Sequence, residues 1–289
     1  MKDFTDKVAA VTGAGSGMGR ELAVQLAGRG CRLALSDVNE EGLNETVRLA
    51  TAAGSGVHVT SQKLDVADRN AVFAWAEAVV GDHGKANLIF NNAGVALSAT
   101  VEGMKIEDFE WLMNINFWGV VHGTQAFLPH LRASGEGHVV NTSSLFGLLA
   151  VPTTSAYHAS KFAVRGFTES LRQELDVMRC GVSATCVHPG GIKTAIARTA
   201  RTDDSIRTLG MDPEVSSKQF EKNFITTAEK AARIIIRGVE RDARRVLVGP
   251  DAVIAEKLSR FLPMSTARLT TYLVRKQSRA QAAGAGSKA

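Results

Sequence analysis

The amino-acid sequence predicts an α/β protein in which a doubly wound, seven-stranded parallel sheet is covered by helices on both faces. Two observations carry this. From Val8 to Val248, short apolar runs bounded by turn residues alternate with stretches of helical spacing. The first run also passes through a glycine-rich turn straight into the first helix. Strands that alternate with helices in this way pair in parallel and are joined by right-handed crossovers.

Taken in order, Val8–Val11 forms the first strand and Leu22–Ala27 belongs to the first helix. Arg32–Ser36 is the second strand, Glu40–Ala53 a helix, Val57–Leu64 the third strand and Arg69–Val80 a helix. Asn87–Phe90 is the fourth strand and is followed by a long helical stretch from about Ile106 to Leu131. Gly137–Asn141, Ser155–Met178 and Val182–Val187 supply the fifth strand, a helix and the sixth strand. Ala228–Glu240 and Arg245–Val248 complete the pattern as a helix and the seventh strand. No composition break precedes Pro250, so residues 1–249 read as one domain. Residues 250–280 read as appended basic amphipathic helices and 281–289 as a disordered tail of small and polar residues.

The composition narrows the function classes. Hydrophobic residues make up 45% and charged residues 22%, enough apolar content for a full core. Three widely spaced cysteines, Cys31, Cys180 and Cys186, fit reduced thiols of a cytoplasmic protein and no disulfide frame. The seven histidines show no metal-ligand spacing, so no metal site is expected. No signal-peptide core or spanning segment is legible. The net charge of +5 is uneven: from Arg241 onward ten Lys/Arg face three Asp/Glu, and the first 240 residues are close to neutral. Such a basic tail can meet anionic lipid as a peripheral contact, but a solvated face is the commoner meaning, and nucleic-acid binding is not expected.

Between the first strand and helix lies Thr12-Gly13-Ala14-Gly15-Ser16-Gly17-Met18-Gly19. Glycines let the backbone turn sharply and approach a ligand, and the helix N-terminus behind them offers free N–H groups to a phosphate. A second strand then ends at Asp37, 24 residues beyond Gly13. A carboxylate there accepts hydrogen bonds from adenosine ribose hydroxyls and repels a 2′-phosphate. Neighbouring Ser36, Val38 and Asn39 offer no cation, which favours NAD over NADP. Asp37 also fits a helix N-cap.

Further along, Asn141-Thr-Ser-Ser-Leu-Phe-Gly precedes Tyr157-x-x-x-Lys161. On a helix that spacing stacks the phenol and the ammonium on one face. A fixed positive charge beside a phenol pulls its pKa down from about 10 and suits it to general acid–base work.

Taken together, Thr12-Gly13-x-x-x-Gly17-x-Gly19, Asp65-Val66, Asn91-Asn92-Ala93-Gly94, Asn116, Ser144, Tyr157-x-x-x-Lys161 and Pro189-Gly190 resemble the short-chain dehydrogenase/reductase family over about Lys7 to Val248. The resemblance implies a Rossmann-type fold and an NAD(P)-dependent oxidoreductase that interconverts a secondary alcohol and a ketone. It implies that Gly13, Ser16, Gly17, Met18 and Gly19 hold the pyrophosphate and that Asp65 and Val66 meet the adenine. Asn92, Ala93 and Gly94 then pass the adenosine ribose, with Asn92 mainly a brace, and Pro189, Gly190, Ile192 and Thr194 line the nicotinamide.

Asn116, Ser144, Tyr157 and Lys161 are the implied catalytic set. Tyr157 moves the proton and Ser144 hydrogen-bonds the substrate oxygen, so both touch substrate. Lys161 holds the nicotinamide ribose and, with the positive nicotinamide ring, lowers the Tyr157 pKa. Asn116 orders a relay water. Ser143 is expected to pack or cap, His158 to point away from Tyr157, and His188 to be structural. The resemblance also implies a homodimer or homotetramer built through the helices after the fourth and fifth strands. A lid from Ala195 to Phe224, bearing Met211, Phe220 and Phe224, would cover a pocket walled by Val95, Leu97, Phe146, Leu148 and Leu149, which suits a lipophilic small-molecule substrate. The alternative is a catalytically silent NAD-binding scaffold or sensor on the same fold.

Overall fold

A computed structural model describes residues 1–222 and 224–286. Seven strands form its main sheet: β1 (Val8–Thr12), β2 (Arg32–Asp37), β3 (Val59–Lys63), β4 (Leu88–Asn91), β5 (Gly137–Thr142), β6 (Val182–Pro189) and β7 (Arg245–Val248). Their spatial order is β7-β6-β5-β4-β1-β2-β3, and every neighbouring pair is parallel. The chain winds outward in one direction from β1 to β3 and then returns to the other side of β1 with β4. A crevice therefore opens beyond the carboxyl ends of β1 and β4, where such sheets bind ligands.

The central strands are apolar because both of their faces are covered. Along β1, Ala9 and Val11 join one core and Val8 and Ala10 the other, as the two-residue period of a strand requires. The first core packs under α1 (Gly17–Ala27), α2 (Glu40–Ala53) and α8 (Ala228–Glu240) through residues such as Leu22, Leu43 and Ile235. The second packs under α3 (Arg69–His83), α5 (Gly119–Ala133) and α6 (Ser155–Met178) through Trp75, Phe127 and Leu175. Asn39 caps α2 and Asp68 caps α3, each accepting a first-turn amide, and left-handed Gly84 ends α3.

Four features depart from the sequence expectation. Helix α1 starts at Gly17, because the glycine turn is itself the helix entry. The expected helix 106–131 is divided into α4 (Ile106–Met113), a π-helical segment (Asn114–Trp118) and α5. Two-residue strands add small pairings, Leu97–Ser98 with Arg201–Thr202 and Ile192–Lys193 with Thr226–Thr227. A short α7 (Pro213–Lys222) precedes α8, and at the C-terminus α9 (Pro250–Phe261) and α10 (Pro263–Gly286) follow the sheet. Residues 281–286 continue α10 where a disordered tail was expected from 281, the run Ala280-Gln281-Ala282-Ala283 being good helix former. Residues 287–289 lie outside the described residues.

The α9–α10 pair exposes Ile254, Phe261, Met264 and Tyr272 on its outer side, and Ser278 donates a hydrogen bond to the Leu209 carbonyl. Among the described residues no helix is long and apolar enough to cross a membrane. All three cysteines are free.

Candidate active site

The crevice is lined first by the glycine turn. Gly13 and Gly17 take positive φ values of 65° and 51°, a conformation natural only to glycine. A Cβ on Gly19 would sit 2.1 Å from the Gly13 carbonyl oxygen, and one on Gly13 would sit 2.7 Å from the Ala93 Cα. The turn is therefore wrapped too tightly for side chains. Ser16 precedes α1 and makes no side-chain cap, and no acid stands in the first turn, so the leading amides of α1 keep their affinity for an anion.

Asp37, at the end of β2, accepts the Gly15 amide at 2.8 Å with one oxygen and the Asn39 amide at 2.9 Å with the other. Each oxygen retains a lone pair for a hydroxyl donor. Asn39, and not Asp37, caps α2. Arg20 pins the turn from behind, donating to the Gly15 and Gly42 carbonyls and to Thr46. Its part was not legible beforehand, since a lone arginine on a helix carries no positional signal.

The neighbouring loops close on this turn. Thr12 Oγ1 accepts both the Asn92 and the Ala93 amide, and Asn92 Nδ2 donates to the Thr12 and Gly13 carbonyls. Asn92 is thus a brace for the glycine turn, with its Oδ1 buried and unbonded. Asp65 turns back on itself to accept the Ala67 amide. Val66 is buried against Gly119, whose Cβ would lie 2.7 Å from the Val66 side chain. Beyond β6, Pro189–Gly191 leads into Ile192 and Thr194, and the Thr194 methyl comes within 2.9 Å of a Cβ built on Gly17. The glycine turn, Asp37, the loop after β4 and the loop after β6 thus surround one crevice. Uncapped helix amides, a carboxylate with free lone pairs and glycines without room for side chains fit a dinucleotide.

The second group of residues lies deeper. Helix α6 carries Tyr157 and Lys161 one turn apart, with Lys161 Nζ 5.6 Å from the Tyr157 ring centroid. The Ser144 hydroxyl, on the turn after β5, hydrogen-bonds the Tyr157 phenol. Lys161 is buried; its Nζ donates to the Thr142 carbonyl at 3.0 Å, and a Cβ on Gly94 would lie 3.5 Å away. Asn116, in the π-helical segment, is fully buried, whereas Asn114 is exposed. The Asn116 side chain accepts the Val95 amide at 2.8 Å and donates to the Val95 carbonyl at 2.9 Å. All four members of the expected catalytic set therefore gather where the carboxyl ends of β4 and β5 meet α6.

A family model described as short chain dehydrogenase matches residues 7–205. The chain belongs to the short-chain dehydrogenase/reductase family. Among curated proteins, a putative oxidoreductase SadH of Mycobacterium tuberculosis is 50% identical over 270 residues, 93% of this chain and 95% of that protein. A probable oxidoreductase EphD of Mycobacterium bovis is 36% identical over 92% of this chain, which spans only 45% of that longer protein. Among solved structures, a short-chain dehydrogenase/reductase of Burkholderia phymatum in complex with NAD superposes with a TM-score of 0.82 at 30% identity, covering 90% of this chain and 95% of that one. Levodione reductase gives a TM-score of 0.75 at 28% identity, covering 87% and 98%.

Within this short-chain dehydrogenase/reductase the electrostatics correct one expectation. Lys161 does not pull the Tyr157 phenol down in the protein by itself. Burial raises the Tyr157 pKa above 10.0, and the Ser144 hydrogen bond offsets this only in part. The ammonium faces the ring and spends a proton on Thr142, while the same burial brings Lys161 itself down to about 8. Spacing reported the neighbour but not the cost of removing both groups from water.

Three nearby side chains serve as supports. Ser143 donates to the Lys161 carbonyl at 2.8 Å. His158 points away from Tyr157, with its ring nitrogens on the Phe146 carbonyl and the Val151 amide. His188, wholly buried, meets the Ser144 carbonyl at 2.9 Å through Nδ1, and burial lowers its pKa to about 4, so the ring is neutral.

The segment expected as a lid is anchored to the core. Arg201 pairs with Asp108 at 2.6 Å and lies 3.6 Å from the Trp111 ring centroid, while Ser205 accepts the Thr100 amide. Met211 and Phe224 are buried, and the Phe220 side chain lies outside the described residues. Leu97 and Leu148 are buried and Val95, Phe146 and Leu149 partly so, with the Phe146 ring edge-on to Tyr157 at 6.2 Å.

Proposed function

We propose that this protein oxidises a lipophilic secondary alcohol to a ketone, or runs the reverse reduction, with NAD as cofactor and Tyr157 as general acid and base. The observation that carries this is the convergence of Ser144, Tyr157, Lys161 and Asn116 beside a crevice suited to a dinucleotide. Asp37 supports NAD over NADP, because its carboxylate, held by two backbone amides at the end of β2, accepts ribose hydroxyls and repels a 2′-phosphate. When bound, the nicotinamide supplies a hydride acceptor or donor at the carbon that bears the substrate oxygen.

The chain's own groups manage the proton. Tyr157 takes it from the alcohol or returns it to the ketone, and Ser144 donates a hydrogen bond to that oxygen as charge develops. Lys161, an ammonium below pH 8, holds the ribose hydroxyls and favours the tyrosinate once it forms. Asn116 fixes the loop at Val95 and orders water on the route from Lys161 to solvent. Apolar walls at Leu97, Phe146, Leu148 and Met211 support a lipophilic substrate. A dimer or tetramer through α5 and α6 is supported by exposed Trp118, Phe162 and Val177 on or beside those helices. The free thiols fit a cytoplasmic setting.

The test is NADH formation against a panel of secondary alcohols, with Tyr157→Phe as control. Turnover by the wild type and a fall of about 10²–10⁴ in kcat for Tyr157→Phe, with NAD still bound, supports the assignment. No turnover on a broad panel despite tight NAD binding favours the silent scaffold.

A further inference from the structure

Asp251 stands in the first turn of α9, where the C-terminal helices leave the sheet. Its Oδ2 accepts the Gly191 amide at 2.6 Å. Among the described residues, the short loop between β6 and Ile192 is otherwise held by backbone: Gly190 donates to the Val248 carbonyl, and the Gly191 carbonyl accepts the Ile225 and Thr226 amides. One side chain therefore completes the cage around the Gly191 peptide.

The fit is close. A Cβ on Gly190 would lie 2.1 Å from Asp251 Oδ2, and one on Gly249 would lie 2.4 Å from Oδ1. Two glycines, one after each of the last two strands, make room for this carboxylate. Its Oδ1 is buried without a hydrogen-bond partner. A buried acceptor left unpaired opposes folding, so the carboxylate is a poor choice for stability alone.

We infer that Asp251 is a positioning residue that sets the Pro189–Thr194 segment for the nicotinamide half of the cofactor, which makes the first turn of the C-terminal helices part of the cofactor site. This rests on the proposed assignment of that segment to the nicotinamide. Gly191 precedes Ile192, and two residues further on the Thr194 methyl occupies the space where a Cβ on Gly17 would stand. A rotation of the Gly191 peptide therefore moves the contact between the two cofactor loops.

The test compares NADH with ADP-ribose, which carries the adenosine and both phosphates but lacks nicotinamide. Asp251→Ala should raise the NADH Kd by about tenfold and leave the ADP-ribose Kd within about twofold. Asp251→Asn, which keeps an acceptor for the Gly191 amide, should recover most of the affinity. Hydrogen exchange over residues 189–194 without cofactor should quicken in the Ala variant and not in the Asn variant. Equal weakening of both ligands, unchanged NADH affinity, or unchanged exchange would overturn the inference. A wild-type protein that binds neither ligand would remove the cofactor assignment, and the exchange measurement would still decide whether Asp251 holds the loop. Should Asp251→Ala fail to fold, Asp251→Glu keeps the charge, but its extra methylene shifts the carboxylate off the Gly191 amide in the narrow space beside Gly190 and Gly249, and the same selective loss of NADH binding is expected of it.

Discussion

Asn116 and Val95 close a two-bond ring: the Val95 amide donates to Asn116 Oδ1 at 2.8 Å, and Asn116 Nδ2 donates back to the Val95 carbonyl at 2.9 Å. This ring joins the π-helical segment to the loop after β4. Asn116→Leu is close in size and strands both backbone groups of Val95. Each unpaired buried group costs about 1–3 kcal/mol, so urea unfolding should show a loss of about 2–6 kcal/mol for the two. A loss under about half a kcal/mol would mean that water replaces the side chain at no cost.

Lys161 provides a pH signature. Burial lowers its pKa from 10.5 to about 8, so between those values the unfolded chain holds a proton that the folded chain has released. Its contribution to stability therefore rises with pH across that window. Lys161→Met removes the buried charge. The variant should be the more stable protein at pH 7, with the difference narrowing toward pH 10 in paired denaturation curves. A constant difference would show that the ammonium is not paying a desolvation cost.

The buried histidines act at the other end of the scale. Burial lowers His138 and His188 from 6.5 to about 4. Between pH 6.5 and 4 the unfolded chain takes up protons that the folded chain refuses, so stability falls with falling pH, by up to about 3 kcal/mol for each ring. His138 meets Thr185 Oγ1 through Nε2, and His138→Gln can keep that bond without titrating. Its acid unfolding should be shallower than that of the wild type; identical slopes would place the sensitivity elsewhere.

On the proposed assignment, Asp37 sets cofactor choice. Asp37→Ser removes the charge at the end of β2 and keeps a small hydroxyl. The NAD Kd should rise about tenfold while that of NADP falls, so the preference narrows from both sides. Fluorescence titration with NADH and NADPH measures this, and an unchanged ratio would place discrimination at another residue.

How far the sequence could be read depends on the kind of signal each element carries. The central strands announce themselves because burial on both faces makes Val8–Val11 and Leu88–Phe90 apolar. The edge strand Val59–Lys63 is polar, and its limits were legible only to within a few residues. Gly13, Gly17 and Gly19 were legible because a glycine marks space that no side chain can fill. The direction of the Tyr157 shift was not, because spacing locates Lys161 but does not reveal burial. Nor was Asp251, whose place depends on Gly190 and Gly249 leaving room at the ends of two strands far apart in the chain. The pairing of Leu97–Ser98 with Arg201–Thr202 is too short to show any period.

The π-helical segment Asn114–Trp118 makes the chain's length there a functional quantity. An i→i+5 turn holds one residue more than an α-turn, and each helical residue advances the side-chain direction by about 100°. Deleting one residue between α4 and α5 would restore a regular helix and turn Asn116 out of register with Val95, while the apolar face carrying Phe127 and Leu131 stayed on the sheet. Loops elsewhere in this protein can gain or lose residues at the surface. This helix cannot, because its irregularity separates the turn that holds Asn116 against Val95 from the half that faces the core.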